Sequence, residues 1–239
     1  MLMINLGQYG IEEDVGLHIV FSNLFWWVSV ILTIAAYRYR HLWNVGDMPW
    51  TFLFLTFLSF GIRELGHLST SLYIGSIRYV FGIWSAIFMA SAFIYLYMRI
   101  CERRKESKIL TYAPFALVIV FPLILLYLYF SGTDITILKN EMQGMESLVW
   151  MIASAIIIYA TYMLGTHATG KFTKVYMFFQ FSAFSAFTWK LMGFIESIGS
   201  PIPYSIREIV ETLFGFFAIV SMYMLATMLR KLSKHMQSE

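Results

Sequence analysis

Apolar positions along the chain gather into seven runs separated by short polar breaks, at about 18–37, 49–73, 79–98, 109–130, 146–165, 173–198 and 206–229. Each run can cross a hydrocarbon core of roughly 30 Å, which takes about 20 helical residues. Backbone polar groups in lipid must bond internally, so the runs predict helices rather than strands. The breaks carry turn-forming and polar residues: Asp47 and Pro49, Ser131 to Asp134, Gly165 to Gly170, Ser200 to Pro203. The predicted fold class is an all-α integral membrane protein, a seven-transmembrane-helix bundle in which residues 1–239 form a single membrane domain.

Composition points the same way. Of the 239 residues, 59% are hydrophobic and 13% charged, against about 25% charged in an ordinary soluble domain, which excludes the soluble class. The net charge of +3 might suggest nucleic acid, but its distribution points to lipid. With the N-terminus outside, 12 of the 17 basic residues fall on the cytoplasmic side, among them Arg38, Arg40, Arg99, Arg103, Arg104, Lys171, Lys174 and Lys231. The cytoplasmic side then carries +8 and the outer side −5, as the preference of Lys and Arg for the cytoplasm requires. The basic excess lies beside anionic lipid and no nucleic-acid role follows. The first run is preceded by Glu12, Glu13 and Asp14, where a secretory signal would be basic, so it is expected to be retained. Cys101 is the sole cysteine and excludes an intrachain disulfide.

Short identities suggest an internal repeat. Ser76-Ile77-Arg78 opens the third run and Ser205-Ile206-Arg207 the seventh. Arg63-Glu64-Leu65-Gly66 matches Lys190-Leu191-Met192-Gly193, and Leu24-Phe25-Trp26 matches Leu148-Val149-Trp150. The offset drifts from 124 through 127 to 129. Helices one to three would then be copied as five to seven, in parallel, about a pseudo-twofold axis along the membrane normal, with the fourth as connector. Chance similarity between apolar segments is the alternative. Pro114 and Pro122 are placed to bend the connector.

Candidate chemistry sits in the outer half. Were the second helix to run to Tyr73, Glu64 would lie roughly 13 Å and His67 roughly 9 Å below its outer end. Lys190 and Glu196 lie on the sixth helix, and Arg207, Glu208 and Glu211 open the seventh. Ionisable residues at such depth are expected to face the interior and pair, and helical spacing puts each set on one face. Arg63, Glu64, His67, Lys190, Glu196, Arg207, Glu208 and Glu211 therefore form a candidate ligand-binding cluster, with a structural ion-pair lock as the bland alternative. Arg78 and Arg207 are also expected to snorkel at the interface. Glu64-x-x-His67 has the spacing of a carboxylate and imidazole offered to a metal by one helix, and Glu208-x-x-Glu211 could add two oxygens. A divalent metal on Glu64, His67, Glu208 and Glu211 is thus a narrower reading, with His18 as a further ligand. Haem is disfavoured because the histidines fall at opposite ends. Retinal is disfavoured because the one buried lysine, Lys190, sits among acids that keep it charged.

These features predict a receptor or sensor that binds a small ligand or ion in a charged outer pocket and engages a cytoplasmic signalling partner. The alternatives are a transporter or channel for an ion or small anion between the two repeats, and a metal-dependent membrane enzyme. The inner half offers only weak polar groups such as Ser29, Thr33, Thr161, Gln180 and Ser182, which favours sensing over passage.

Overall fold

The computed structural model describes residues 15–43, 45–66, 72–104, 108–197, 200 and 202–237. They form α1 (Val15–Tyr37), α2 (Met48–Leu65), α3 (Leu72–Ile100), α4 (Lys108–Phe130), α5 (Ile135–His167), α6 (Lys171–Ser197) and α7 (Tyr204–Gln237), with a short 3-10 turn at Arg40–Leu42. No strand occurs among the described residues. Four helices, α3, α4, α5 and α7, are long and apolar enough to cross a membrane, which points to an integral membrane protein in a bilayer. In α1, a 23-residue helix, the described residues Asn23–Tyr37 form an apolar stretch. In α2 and α6 the hydropathy is diluted by Thr, Ser, Trp and the charged residues.

Several helices differ in extent from the apolar runs. α5 begins at Ile135 rather than near 146, because Asp134 caps it: its carboxylate accepts from the backbone N–H of Thr136 at 2.8 Å and of Ile137 at 3.4 Å. α7 continues to Gln237, past the expected 229. α2 ends at Leu65 instead of about 73, and Gly66 closes it by donating to Arg63 and Glu64 carbonyls. Glu64 therefore lies in the last turn of its helix, and its full burial comes from neighbouring helices rather than from depth within α2.

Six helices form a closed ring in the order α1, α2, α3, α5, α6, α7, and α4 lies outside it against α3 and, more lightly, α5. Of the apolar window of α3, 72% is buried, against 11% for α4, so α4 offers nearly its whole apolar surface to its surroundings. Inside the ring, one continuous core runs through Trp26, Phe57, Phe60, Phe93, Trp150, Phe179, Phe214 and Met222.

Proline at 122 leaves the Val118 carbonyl of α4 without its helical donor. Trp84 of α3 supplies one, with its indole N–H at 2.7 Å from the Val118 oxygen. The bond ties the peripheral helix to the ring at the point where its own ladder is broken.

Most buried hydroxyls outside the charged end are satisfied within their own helix. Ser29, Thr33, Thr56, Thr161 and Ser221 each donate to the carbonyl four residues earlier, at 2.6–2.8 Å. They present methyl and methylene surface to the core rather than a polar lining.

Candidate functional site

Four ring helices bring five ionisable side chains into one buried layer toward the amino-terminal end of α1. Arg63 and Glu64 come from α2, Glu146 from α5, Lys190 from α6 and Glu211 from α7, and all are at most 5% exposed. Arg63 is the hub. Its Nε donates to Glu146 Oε1 at 2.7 Å, and its Nη1 pairs with Glu64 and reaches Glu211 Oε1 at 3.5 Å. Lys190 Nζ lies 2.6 Å from the other Glu146 oxygen, Oε2. Glu146 thus joins the two cations, one oxygen each. Charge-assisted bonds of this kind offset part of the several kcal/mol that burying each ion costs.

An aromatic floor lies against the layer. Phe60, one turn before Arg63 and Glu64, has Trp26 at 4.1 Å between centroids, Phe214 at 5.5 Å, Trp150 at 5.7 Å and Trp189 at 6.1 Å. The cations sit over these rings: the Arg63 guanidinium is 5.0 Å from the Phe60 and Trp189 centroids, and Lys190 Nζ is 3.6 Å from that of Trp189. Ring faces attract cations, most strongly where water is excluded.

Small residues let the layer assemble. A Cβ on Gly82 would overlap the Glu146 carboxylate, so glycine on α3 is what admits that side chain. A Cβ on Gly66 would fall 2.6 Å from Arg78 Cβ. Gly82 also accepts, through its carbonyl, the Trp150 indole N–H at 2.9 Å.

The expected cluster divides in two. Arg63, Glu64, Lys190 and Glu211 meet in the layer. Glu196, Arg207 and Glu208 form a second, half-buried group between α6 and α7, with Arg207 Nη1 2.7 Å from Glu196 Oε2 and Nη2 4.0 Å from Glu208 Oε1. Of the proposed metal ligands, Glu64 and Glu211 share Arg63 and Glu208 lies beside Arg207, while His67 lies outside the described residues, as does the side chain of His18. No group of three or more His, Cys, Asp or Glu suited to a metal occurs among the described residues. Arg78, expected at the interface, is 9% exposed and stacks on Tyr79, whose hydroxyl bonds Gln143 at 3.2 Å.

Two participants escaped the sequence reading. Glu146, the first residue of the fifth apolar run, lies three turns inside α5. Asn23 of α1 is the other: both atoms of its amide are buried and find no partner among the described residues, and the indole N–H of Trp26, one turn further along, is likewise buried without an acceptor there. Their helix packs against α2 and α7, which supply Arg63, Glu64 and Glu211. A separate crevice of about 490 Å³ opens between α5 and α6, lined by Glu141, Gln143, Met145, Leu148, Phe194 and Glu196.

No family model, no curated protein and no solved structure matches this chain.

Proposed function

We propose that this protein is a seven-span membrane receptor or sensor that takes a small polar ligand or ion at the charged layer, from the outer side, and passes the event to a cytoplasmic partner through shifts of α1 and α7. The carrying observation is the unused hydrogen-bonding capacity beside the layer. The Asn23 amide and Trp26 indole N–H provide a donor, an acceptor and a second donor, all buried and without partners among the described residues. A buried polar group left unsatisfied costs about 1–3 kcal/mol, and such a cost is commonly retained where a ligand repays it.

Passage through the bundle is the second reading, favoured by one observation: the ring order pairs helix one of each proposed repeat with helix three of the other. Against it stands the aromatic floor, together with hydroxyls that turn back onto their own helices. Such a core offers an ion no replacement for its hydration shell.

Asn23→Leu separates a site from a packing fault. In detergent, the variant should melt at the wild-type temperature or above, since an unsatisfied amide is gone. It should also lose any stabilisation that the wild type shows against a panel of amino acids, amines, carboxylates and inorganic salts. Equal stabilisation of both proteins by every responsive compound would remove the layer from the binding site. Saturable uptake of such a compound by proteoliposomes would replace the sensor with a transporter.

A further inference from the structure

At the opposite end of the bundle, a groove of about 690 Å³ opens between the start of α6 and the end of α7. Its walls carry Lys171, Lys231, Lys234 and His235, and its base is made by Phe172, Met228 and Leu232. On α7 the residues 228, 231, 232 and 235 follow helical spacing, so one face presents apolar and basic groups together. The three lysines are exposed and make no ion pair or hydrogen bond with any described residue. Among the described residues at this end, the acids Asp47 and Glu102 are already engaged by Arg40 and Arg104 at 2.8 Å. Gly170 precedes α6 and has no side chain to cap it, and the first turn of α6 holds no acid. The first backbone N–H groups of that helix, with its dipole, therefore add to the positive field.

We infer that this groove is a binding site for one anionic phospholipid, its phosphate held among Lys171, Lys231 and Lys234 at the start of α6 and its acyl chain laid on Phe172, Met228 and Leu232. Two features favour a lipid over a soluble anion or a protein. The cations ring an apolar base rather than a polar one, as an amphiphile needs. The groove also lies at the end of a membrane-length apolar helix, where lysines reach from hydrocarbon to headgroup level. Basic pockets between spanning helices hold phospholipid headgroups by this combination of charge and depth. The inference rests on the bilayer environment and is independent of the charged layer.

Native mass spectrometry of the full chain provides the test, with protein exchanged into detergent carrying phosphatidylglycerol or phosphatidylcholine. Wild type should retain one phosphatidylglycerol and no phosphatidylcholine. Lys171→Gln/Lys231→Gln/Lys234→Gln should weaken retention by about fivefold per lysine, on the order of a hundredfold in all. A control with the same charge removed elsewhere, Arg99→Gln/Arg103→Gln/Lys108→Gln, should keep the lipid. Leu232→Glu, on a half-exposed position, should also lose it by placing an anion in the acyl path. Equal loss in the control would mean general attraction to a basic surface, and undiminished retention in the triple variant would exclude the groove. Full displacement by millimolar inorganic phosphate would identify a soluble-anion site. Each of these three results overturns the inference.

Discussion

Glu146 carries more of the charged layer than its place in the sequence suggests. It bonds both cations, one through each oxygen, and Arg63 and Lys190 would otherwise repel across a medium that screens them poorly. Lys190→Met should therefore destabilise the fold by about 3–5 kcal/mol, because it leaves a buried carboxylate short of a partner. Adding Glu146→Gln should recover much of that loss, since Arg63 keeps Glu64 and Glu211. Thermal or denaturant unfolding in detergent measures both. If stability returns but stabilisation by an active compound does not, the residues form a site; full return of both marks a lock. Glycine gives a second, sharper check. Gly82→Ala should destabilise by at least about 1–3 kcal/mol as Glu146 is pushed from its pocket, whereas Gly144→Ala, where a Cβ meets nothing within 4 Å, should be neutral or slightly stabilising through helix propensity. Equal effects at the two glycines would mean that the Glu146 position is not held by α3.

Trp84 and Pro122 make a pair that can be tested as one. Trp84→Phe removes the donor to the Val118 carbonyl and should cost about 1–3 kcal/mol. In a Pro122→Ala background residue 122 regains its N–H and can satisfy that carbonyl itself, so the same change should cost clearly less. A double-mutant cycle with no coupling would show that Trp84 serves only as packing. Helix existence was legible in the sequence because seven long apolar runs leave few alternatives; helix ends were less so, and the ends decided the site. Glu146 stood at the edge of an apolar run, as the first residue of the predicted fifth helix. The missing signal was Asp134, which caps the N–H groups of Thr136 and Ile137, a start mark twelve residues earlier that hydropathy does not register. Arg63, Glu64, Lys190 and Glu211 were legible because charge within an apolar run has to pair. Their partners were not, since pairing across helices depends on rotation and on a glycine such as Gly82. Asn23 was illegible for another reason: one amide in a helix looks like ordinary composition until its neighbours are seen to leave it unbonded.

Across the whole molecule the ring order bears on the proposed repeat and on direction. Helices α1, α2 and α3 meet α5, α6 and α7 with first against third on both sides, the order that a repeat of two parallel copies would require. Trp26 and Trp150, matched by the repeat, both lie on Phe60, and Arg63 and Lys190, likewise matched, share Glu146. Under that alignment Gly82 corresponds to Glu211, so the halves differ where the third helix meets the layer. On one side Trp150 finds the Gly82 carbonyl; on the other Trp26 and Asn23 find no partner among the described residues, and the binding site is proposed there. The basic groove and the charged layer occupy opposite ends, so the preference of Lys and Arg for the cytoplasm predicts an outer position for the layer. In a Cys101→Ser background, Asn140→Cys should be labelled by a membrane-impermeant maleimide on intact cells, and Arg104→Cys only after lysis. Removal of the native cysteine avoids a background signal at the basic end, although burial and nearby Glu102 raise its thiol pKa and slow its reaction at neutral pH. The reverse labelling pattern would turn the bundle over, give the charged layer a cytoplasmic ligand and move the lipid groove to the outer leaflet. The expected pattern leaves an external signal at Asn23 and Glu211 connected, through the continuous helices α1 and α7, to the cytoplasmic end where α7 borders the lipid groove.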